Sequence, residues 1–391
     1  MKNKGKMEYY SLSKKERINR LKEIILVFLK LGLIAFGGPA AHVAMMEDEL
    51  IKKRRWMSKE DFLDLYGATN LLPGPNSTEL AIYLGYHRGG WRGLILSGVS
   101  FILPAMLSVM TFAAIYVHYE ELPALKGIMY GIQPVIIAIV LQALIRQGKT
   151  AISNASSVIL GVFVVVLSFL GVHELALLLF AGLVMMLYMN RRKLLKGRLM
   201  ILIPILPILT IAGEGVSKNS MNFGSIFLTF LKIGSVLYGS GYVLLAFLEA
   251  EFIDRLGIIT SQQLLDAVSV GQFTPGPVFT TATFIGYLLG GVPGGISATI
   301  GIFLPAFLLV GIIHPFIPKL RKSSWISGIL DGVNVASLGL MAVVSFKLSR
   351  EALVDLPTII ISLLALVAVF KLKINTAWLV LVGGILGLIL A

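Results

Sequence analysis

The sequence has no cysteine and few charged residues. The absence of cysteine from all 391 residues excludes disulfide bonds, thiolate metal sites and cysteine nucleophiles. Charged residues make up 14% of the chain, whereas soluble globular proteins carry about 25%. Apolar residues make up 56%, and the mean hydropathy is +0.85. This balance excludes a disordered chain, a collagen-like chain and an ordinary cytosolic enzyme, and it predicts a polytopic membrane protein.

Enzyme motifs are missing as well. The five histidines are scattered and form no His-Glu-x-x-His motif. No Walker A or Gly-x-Ser-x-Gly motif stands at a strand-to-helix turn. We therefore expect no catalytic residue, no cofactor and no bound metal.

The net charge of +13 comes from 34 lysines and arginines against 21 acidic residues. The basic residues lie mostly in short loops and in the first 22 residues, which hold eight of them. The positive-inside bias and anionic lipid headgroups explain this distribution, so we expect membrane lipid as a partner and no nucleic acid. The next apolar stretch is too long for a secretory signal, which predicts a retained basic cytoplasmic tail at 1–22.

Long uncharged runs favour an all-α fold over a β-barrel, whose strands alternate over about ten residues. A membrane-spanning helix needs about 20 apolar residues. Stretches of suitable length occur at 24–46, 92–118, 124–146, 155–171, 173–190, 198–213, 223–249, 294–317, 325–347, 356–370 and 375–390. Two shorter pairs surround a proline break, at 61–72 with 76–87 and at 261–273 with 278–289.

The chain contains an internal duplication. Segments of the first half recur 202 residues later and, after one residue is lost, 201 residues later. The matching pairs are Phe28–Gly32 with Phe230–Gly234, Pro73–Pro75 with Pro275–Pro277, Gly85–Tyr86 with Gly286–Tyr287, and Leu103–Ala105 with Leu304–Ala306. We therefore predict one repeat at 23–190 and a second at 222–391, joined by a linker with its own span at 191–221.

The two repeats are expected to be inverted. If each broken pair crosses the membrane once, each repeat has about six spans, and the joining span makes thirteen. An odd joining span between even halves inverts the second half. With the N-terminus inside, most loops rich in lysine and arginine fall inside. The basic loop Lys52–Arg55 disagrees, and its side of the membrane stays open.

The two Pro-Gly-Pro sequences, Pro73-Gly74-Pro75 and Pro275-Gly276-Pro277, are the strongest local signal. Proline removes a backbone donor and glycine loosens the chain, so each sequence should break a helix. In lipid, broken backbone is tolerated only where protein buries it or where it lines a wet cavity. Interrupted segments at corresponding places in two halves indicate a transport site near the membrane midplane.

A second break is expected in the first helix of each repeat, at Gly37-Gly38-Pro39 and at Gly239-Ser240-Gly241. A helix that restarts after a break exposes free N–H groups and the positive end of its dipole, which bind anions. Polar side chains that would complete an oxyanion cradle lie beside the breaks: Asn70, Asn76, Ser77, Thr78, Gln272 and Thr274. Their alternative role is a hydrogen bond to their own helix.

Ionisable residues near the breaks are further candidates. Lys30 and Lys232 are repeat equivalents and would neutralise a dianion, unless they extend to the membrane interface. Glu79 would carry a coupling proton or pair with a lysine. Three residues would relay protons or gate the pathway, with packing or solvation as the alternative: His42, Glu47 and Glu249.

These motifs resemble the chromate transporter family. Phe36–His42, followed by Glu47, is similar to the signature of the family's first half, and Leu72–Pro75 continues it. Gly271–Pro277, followed by Phe284–Tyr287, looks like the partner signature of the second half. The resemblance runs over nearly the whole chain.

Two residues depart from the family pattern, because Asn70 and Glu79 stand where glutamine is expected. The positions that match the family motifs residue by residue are Gly37, Gly38, Pro39, His42, Glu47, Pro73, Gly74, Pro75, Gln272, Pro275, Gly276 and Pro277.

The resemblance implies two oppositely oriented halves that export chromate across the bacterial inner membrane, driven by an ion gradient rather than by ATP. We therefore expect a secondary active transporter working by alternating access. Sulfate has the same shape and charge as chromate, so sulfate or another oxyanion is an alternative substrate, and a passive anion channel is an alternative mechanism. Direction, coupling ion and assembly as a homodimer stay open.

Overall fold

The computed structural model describes residues 9–119, 122–194, 222–238, 241–313 and 323–390, and all regular structure there is helical. The helices of the first half are α1 (Lys14–Ile34), α2 (Gly38–Met46), α3 (Lys59–Thr69), α4 (Asn76–Tyr119), α5 (Pro123–Ala151), α6 (Ala155–Phe169) and α7 (Glu174–Leu194). Those of the second half are α8 (Phe223–Val236), α9 (Leu244–Leu248), α10 (Ser261–Phe273), α11 (Thr281–Ile313), α12 (Ser324–Ala352), α13 (Leu356–Phe370) and α14 (Thr376–Leu390).

Each helix of the first half thus has a counterpart seven helices later. The correspondence extends to irregular structure, since the π-helical segment Glu47–Lys53 follows α2 and Glu249–Arg255 follows α9. Short 3₁₀ turns at Gly241–Val243 and Val278–Thr280 precede α9 and α11. The two repeats therefore share one order of elements.

Five of the described helical segments are long and apolar enough to cross a membrane: Asn76–Tyr119, Pro123–Ala151, Glu174–Arg191, Val278–Ile312 and Ser324–Ala352. Four shorter helices, α6, α8, α13 and α14, are apolar as well. The prediction of an all-α, multi-pass membrane protein is confirmed. The total of thirteen spans stays a prediction, and the joining span at 198–213 lies outside the described residues.

Helices α4 and α11 are each a tight hairpin of two helices rather than a straight rod. Gly90 has φ 60° and ψ −151°, and Gly291 has φ 61° and ψ −152°, a conformation that only glycine adopts readily. The two arms then lie so close that a Cβ on Gly93 would stand 2.2 Å from the Gly85 carbonyl oxygen. The turn therefore needs glycine both for its dihedral angles and for the approach of its arms.

The repeats are interwoven. Helix α5 of the first repeat packs on α13 and α14 of the second, and α12 packs on α6 and α7 of the first. A Cβ on Gly131 would stand 2.0 Å from the Gly383 carbonyl oxygen, and a Cβ on Gly332 would stand 2.1 Å from the Ala181 carbonyl oxygen. Small residues let transmembrane helices approach at backbone distance. Each of these two crossings joins one helix of the first repeat to one helix of the second. The two crossings occupy equivalent positions in the repeats.

The equivalent helices α5 and α12 contact each other and run in opposite directions. The Gln147 amide donates to Met341 Sδ at 3.7 Å, and a Cβ on Gly148 would stand 3.8 Å from Leu338. Residue numbers therefore rise along one helix as they fall along the other. Equivalent helices in this antiparallel relation are what inverted repeats require.

Gly131→Ala is expected to destabilise the protein by about 1–3 kcal/mol, because the new methyl group would push the α5 and α14 backbones apart. Gly148→Ala, on the same helix, is the matched control, since its Cβ has ordinary contact distance to Leu338. Thermal unfolding of the two variants in detergent measures the difference. Equal melting temperatures for both variants would contradict the close crossing.

Candidate functional site

The broken segments of the two repeats cross at the centre of the protein and bond to each other reciprocally. The backbone N–H of Gly74 donates to the Leu237 carbonyl at 2.7 Å, and that of Gly276 donates to the Ala35 carbonyl at 2.8 Å. Leu237 is the repeat equivalent of Ala35, as Gly276 is of Gly74. Backbone groups freed by each break are thus satisfied by the other repeat, as an apolar environment demands.

Both Pro-Gly-Pro glycines need to be glycine. Gly74 has φ 140° and Gly276 has φ 106°, where residues with a Cβ are strained. A Cβ on Gly276 would also stand 2.6 Å from the Ala105 Cβ, and one on Gly74 would stand 2.6 Å from Glu79 Oε1. Gly276 therefore allows a close approach to the opposite repeat, and Gly74 allows a close approach to the buried Glu79 carboxyl.

His42 bridges the two breaks of the first repeat. Its ring is 1% exposed, with Nδ1 3.2 Å from Ser77 Oγ and Nε2 3.0 Å from the Ala35 carbonyl oxygen. One nitrogen thus donates to the end of α1 while the other faces the start of α4. The second repeat has Leu244 at this position, so the bridge belongs to the first repeat.

A cavity of ≈ 560 Å³, here called the central cavity, lies where the breaks meet. Helices α2 and α4 begin at its wall, and the second repeat adds its own two breaks and α12. Predicted site residues that line it are Pro39, Asn70, Pro75, Asn76, Ser77, Gly241 and Pro277. Residues that the sequence did not single out are Arg146, Gln147, Thr150, Asn334 and Ser337.

Arg146 is the one charged side chain among the described residues that line the central cavity. It is exposed, and within the described part of the chain its guanidinium has no hydrogen-bond or ion-pair partner. Near it, the Tyr242 hydroxyl donates to Gln272 Oε1 at 3.3 Å. The cavity therefore presents an unpaired cation beside neutral hydrogen-bonding groups. In the sequence, Arg146 is a basic residue at the end of an apolar helix. The charge pattern assigned it to a loop, so it was not predicted as a site residue.

Lys30 and Lys232 do not line the central cavity. Lys30 Nζ lies 3.2 Å from Glu49 Oε2, and Lys232 Nζ lies 3.4 Å from Glu251 Oε2. Both carboxylates are themselves repeat equivalents and also pair with an arginine, Arg54 for the first and Arg255 for the second. The lysines thus neutralise carboxylates of the π-helical segments instead of facing the cavity.

The other predicted carboxylates lie in different surroundings. Glu47 pairs with Lys59 at 3.2 Å, and Glu249 pairs with Lys347 at 2.9 Å. Glu79 is fully buried, and neither of its carboxyl oxygens has a hydrogen-bond partner within the described residues. The alternative in which Glu79 pairs with a lysine therefore has no support from the described contacts.

Of the remaining predicted site residues, some shape the helix breaks, some are buried within helices, and two lie outside the described residues. Gly37 and Gly38 have φ values of 100° and 76°, so they turn the chain between the end of α1 and the first turn of α2. The Thr274 hydroxyl donates to the Val270 carbonyl of its own helix at 3.0 Å. Thr78 is fully buried. Gly239 and Ser240 lie outside the described residues.

The chromate transporter family profile matches this chain twice, at residues 22–186 and 224–388. The chain belongs to the chromate transporter family. The two matches follow the duplication that the sequence predicts, and they cover most of both halves.

Curated relatives of this chromate transporter family member match over nearly their whole length. The probable chromate transport protein of Synechococcus elongatus is 33% identical over 94% of this chain and 95% of the relative. The chromate transport proteins of Cupriavidus metallidurans and Pseudomonas aeruginosa are 30% and 28% identical, covering 90% and 92% of this chain and 88% and 90% of the relatives. No solved structure matches the chain.

A chromate transporter family member has a chromate-like oxyanion as its expected substrate, and the residues fit that chemistry better than they fit a metal ion. Among the described residues, no group of three or more histidine or acidic side chains is placed to hold a metal. The central cavity offers amide, hydroxyl and guanidinium donors, which suit an anion.

Gly276→Ala is expected to lower the stability of this chromate transporter family member and its rate of chromate exchange. The substitution adds backbone strain and a clash with Ala105, about 1–3 kcal/mol beyond strain alone. Gly257→Ala is the control, because Gly257 also has a positive φ, of 62°, but its Cβ would lie at an ordinary contact distance of 3.9 Å from the Ile253 carbonyl oxygen. Thermal unfolding and counterflow in proteoliposomes measure both effects. Identical behaviour of the two variants would argue against the crossing of the breaks.

Proposed function

We propose that this protein is a secondary active transporter that exports chromate, or a related tetrahedral oxyanion, across the bacterial inner membrane. The observation that carries the proposal is Arg146, an unpaired guanidinium in a cavity that has no acidic side chain among its described lining residues. Such a site attracts anions and disfavours cations. Membership of the chromate transporter family supports the substrate class.

The donors around the central cavity suit a tetrahedral oxyanion. A guanidinium donates two parallel N–H groups to one oxyanion face, which a lysine ammonium does not do. Helices α2 and α4 begin beside it, so their free N–H groups and positive dipole ends add to the attraction. Asn70 and Asn76 are joined by a hydrogen bond of 2.7 Å and would contribute further amide groups.

Alternating access is supported by a difference between the repeats. Tyr66 and Asn70 line the central cavity, and Asn70 is exposed there. Their equivalents Val268 and Gln272 are only 1% and 8% exposed. The end of the helix that precedes the Pro-Gly-Pro break is thus accessible in the first repeat and buried in the second. Exchange of these two arrangements would open the site to opposite sides of the membrane in turn.

Arg146→Ala is expected to raise the half-saturating chromate concentration about 10- to 100-fold, because the anion loses a charge-assisted hydrogen-bond donor worth about 1.5–3 kcal/mol. Arg146→Lys should have a smaller effect, since it keeps the charge. Lys149→Ala is the matched control, one turn further along α5 and outside the cavity lining. Counterflow of radiolabelled chromate into loaded proteoliposomes measures the three variants.

The same assay separates the rival functions. Sulfate, molybdate and phosphate are added as competitors, and uptake driven by sulfate alone would make sulfate the substrate. A passive channel would conduct without stimulation by internal chromate. If Arg146→Ala and Lys149→Ala exchange chromate alike, the central cavity is not the binding site.

Glu79→Gln is expected to uncouple transport from a proton gradient and to leave exchange intact. Glutamine keeps the shape of this fully buried side chain but cannot release a proton. Chromate–chromate counterflow needs no net proton movement and should persist at about the wild-type rate. Accumulation driven by an imposed pH gradient should be lost. Gradient-driven accumulation that survives in Glu79→Gln would remove Glu79 from the coupling mechanism.

A further inference from the structure

Lys347 is the repeat counterpart of Arg146. The offset of 201 residues that relates Gly131 of α5 to Gly332 of α12 also relates Arg146 to Lys347. Because α5 and α12 run in opposite directions, equivalent residues lie toward opposite ends of this helix pair. Both repeats therefore carry a cation at the same position of two antiparallel helices.

Lys347 lines a separate cavity of ≈ 400 Å³, here called the lateral cavity. The lateral cavity shares no described lining residue with the central cavity. Its lining is rich in charge where that of the central cavity is nearly neutral. Ionisable side chains around Lys347 include Glu174, Lys232, Glu249, Glu251, Asp254 and Arg255.

Two carboxylates hold Lys347. Its Nζ lies 2.9 Å from Glu249 Oε1 and 3.3 Å from Asp254 Oδ2. The Glu249 side chain is 6% exposed, and its second oxygen, Oε2, is buried without a hydrogen-bond partner in the described part of the chain. An unsatisfied buried carboxylate oxygen costs free energy. A hydrogen-bond donor from another partner, or in another conformational state, would therefore stabilise the Glu249 carboxylate.

The first repeat lacks this arrangement. The equivalent of Glu249 is Glu47, which pairs with Lys59 at 3.2 Å, and the equivalent of Asp254 is Lys52. No described carboxylate therefore neutralises Arg146. Of two equivalent cations, one has no ion-pair partner among the described residues and the other is paired with two protein carboxylates.

We propose that Lys347 is a second oxyanion-binding residue, which Glu249 and Asp254 occupy in the present state and release when the transporter opens at the lateral cavity. This inference rests on the proposed oxyanion transport. Two carboxylates carry the same charge as one tetrahedral dianion, so the substrate replaces them without leaving Lys347 unpaired.

The test uses proteoliposomes with the protein in one orientation and measures the half-saturating concentration of radiolabelled chromate from each face. Lys347→Ala should raise it at least fivefold at the face of the lateral cavity and less than twofold at the other face. Arg146→Ala should show the reverse pattern. Lys347→Arg should restore most of the affinity. Arg350→Ala is the matched control on α12, because Arg350 is the repeat equivalent of Lys149 and lines neither cavity.

A second measurement tests whether Glu249 and Asp254 restrain Lys347. The chain has no cysteine, so a single Val343→Cys in the lateral cavity reports its accessibility to a membrane-impermeant maleimide. Adding Glu249→Gln and Asp254→Asn should speed labelling at least threefold, because Lys347 is then released. Unchanged labelling, or an equal effect of Lys347→Ala at both faces while wild-type exchange is intact, would overturn the inference. Wild-type protein that exchanges no oxyanion would instead reject the proposed function.

Discussion

Backbone groups freed where helices break in an apolar environment must find partners within the protein, since lipid offers none. Here the partners come from the other repeat, through the hydrogen bonds from Gly74 to Leu237 and from Gly276 to Ala35. This reciprocal pairing brings four helix breaks to one place. It also explains why small residues such as Ala105 lie opposite the breaks, and why the central cavity forms between the repeats rather than within either one.

The backbone is nearly symmetric, but the side chains that line the breaks are not. His42 bridges α1 and α4 in the first repeat, where the second has Leu244. Glu79 is buried without a hydrogen-bond partner among the described residues, where the second repeat has Thr281. Symmetric backbones allow two arrangements of similar energy, which a transporter needs in order to face either side. In the proposed alternating-access mechanism, asymmetric side chains would let the two arrangements bind substrate and protons differently.

The central cavity has few charged side chains around it, because the nearby lysines pair with carboxylates elsewhere. The lysines of α1 and α8 are held by carboxylates of the π-helical segments, so they add little field to the central cavity. Arg146 has no such neighbour in the part of the chain that the structure describes, and in the proposed function its charge binds the substrate. An isolated cation in a site with few other charges acts over a longer range than one within an ion-pair network.

Local properties of the sequence were enough to predict the membrane class, the helical fold, the duplication and the glycines of the breaks. Hydropathy, proline and glycine act through the cost of exposing polar backbone to lipid, which each segment incurs wherever it lies. The charged residue in the central cavity could not be predicted in this way. Whether Lys30 or Arg146 faces the cavity depends on how α1 and α5 are rotated about their axes. That rotation is set by crossings with helices far away in sequence, such as Gly131 against Gly383. The tertiary structure alone therefore decided which cation is paired and which is free.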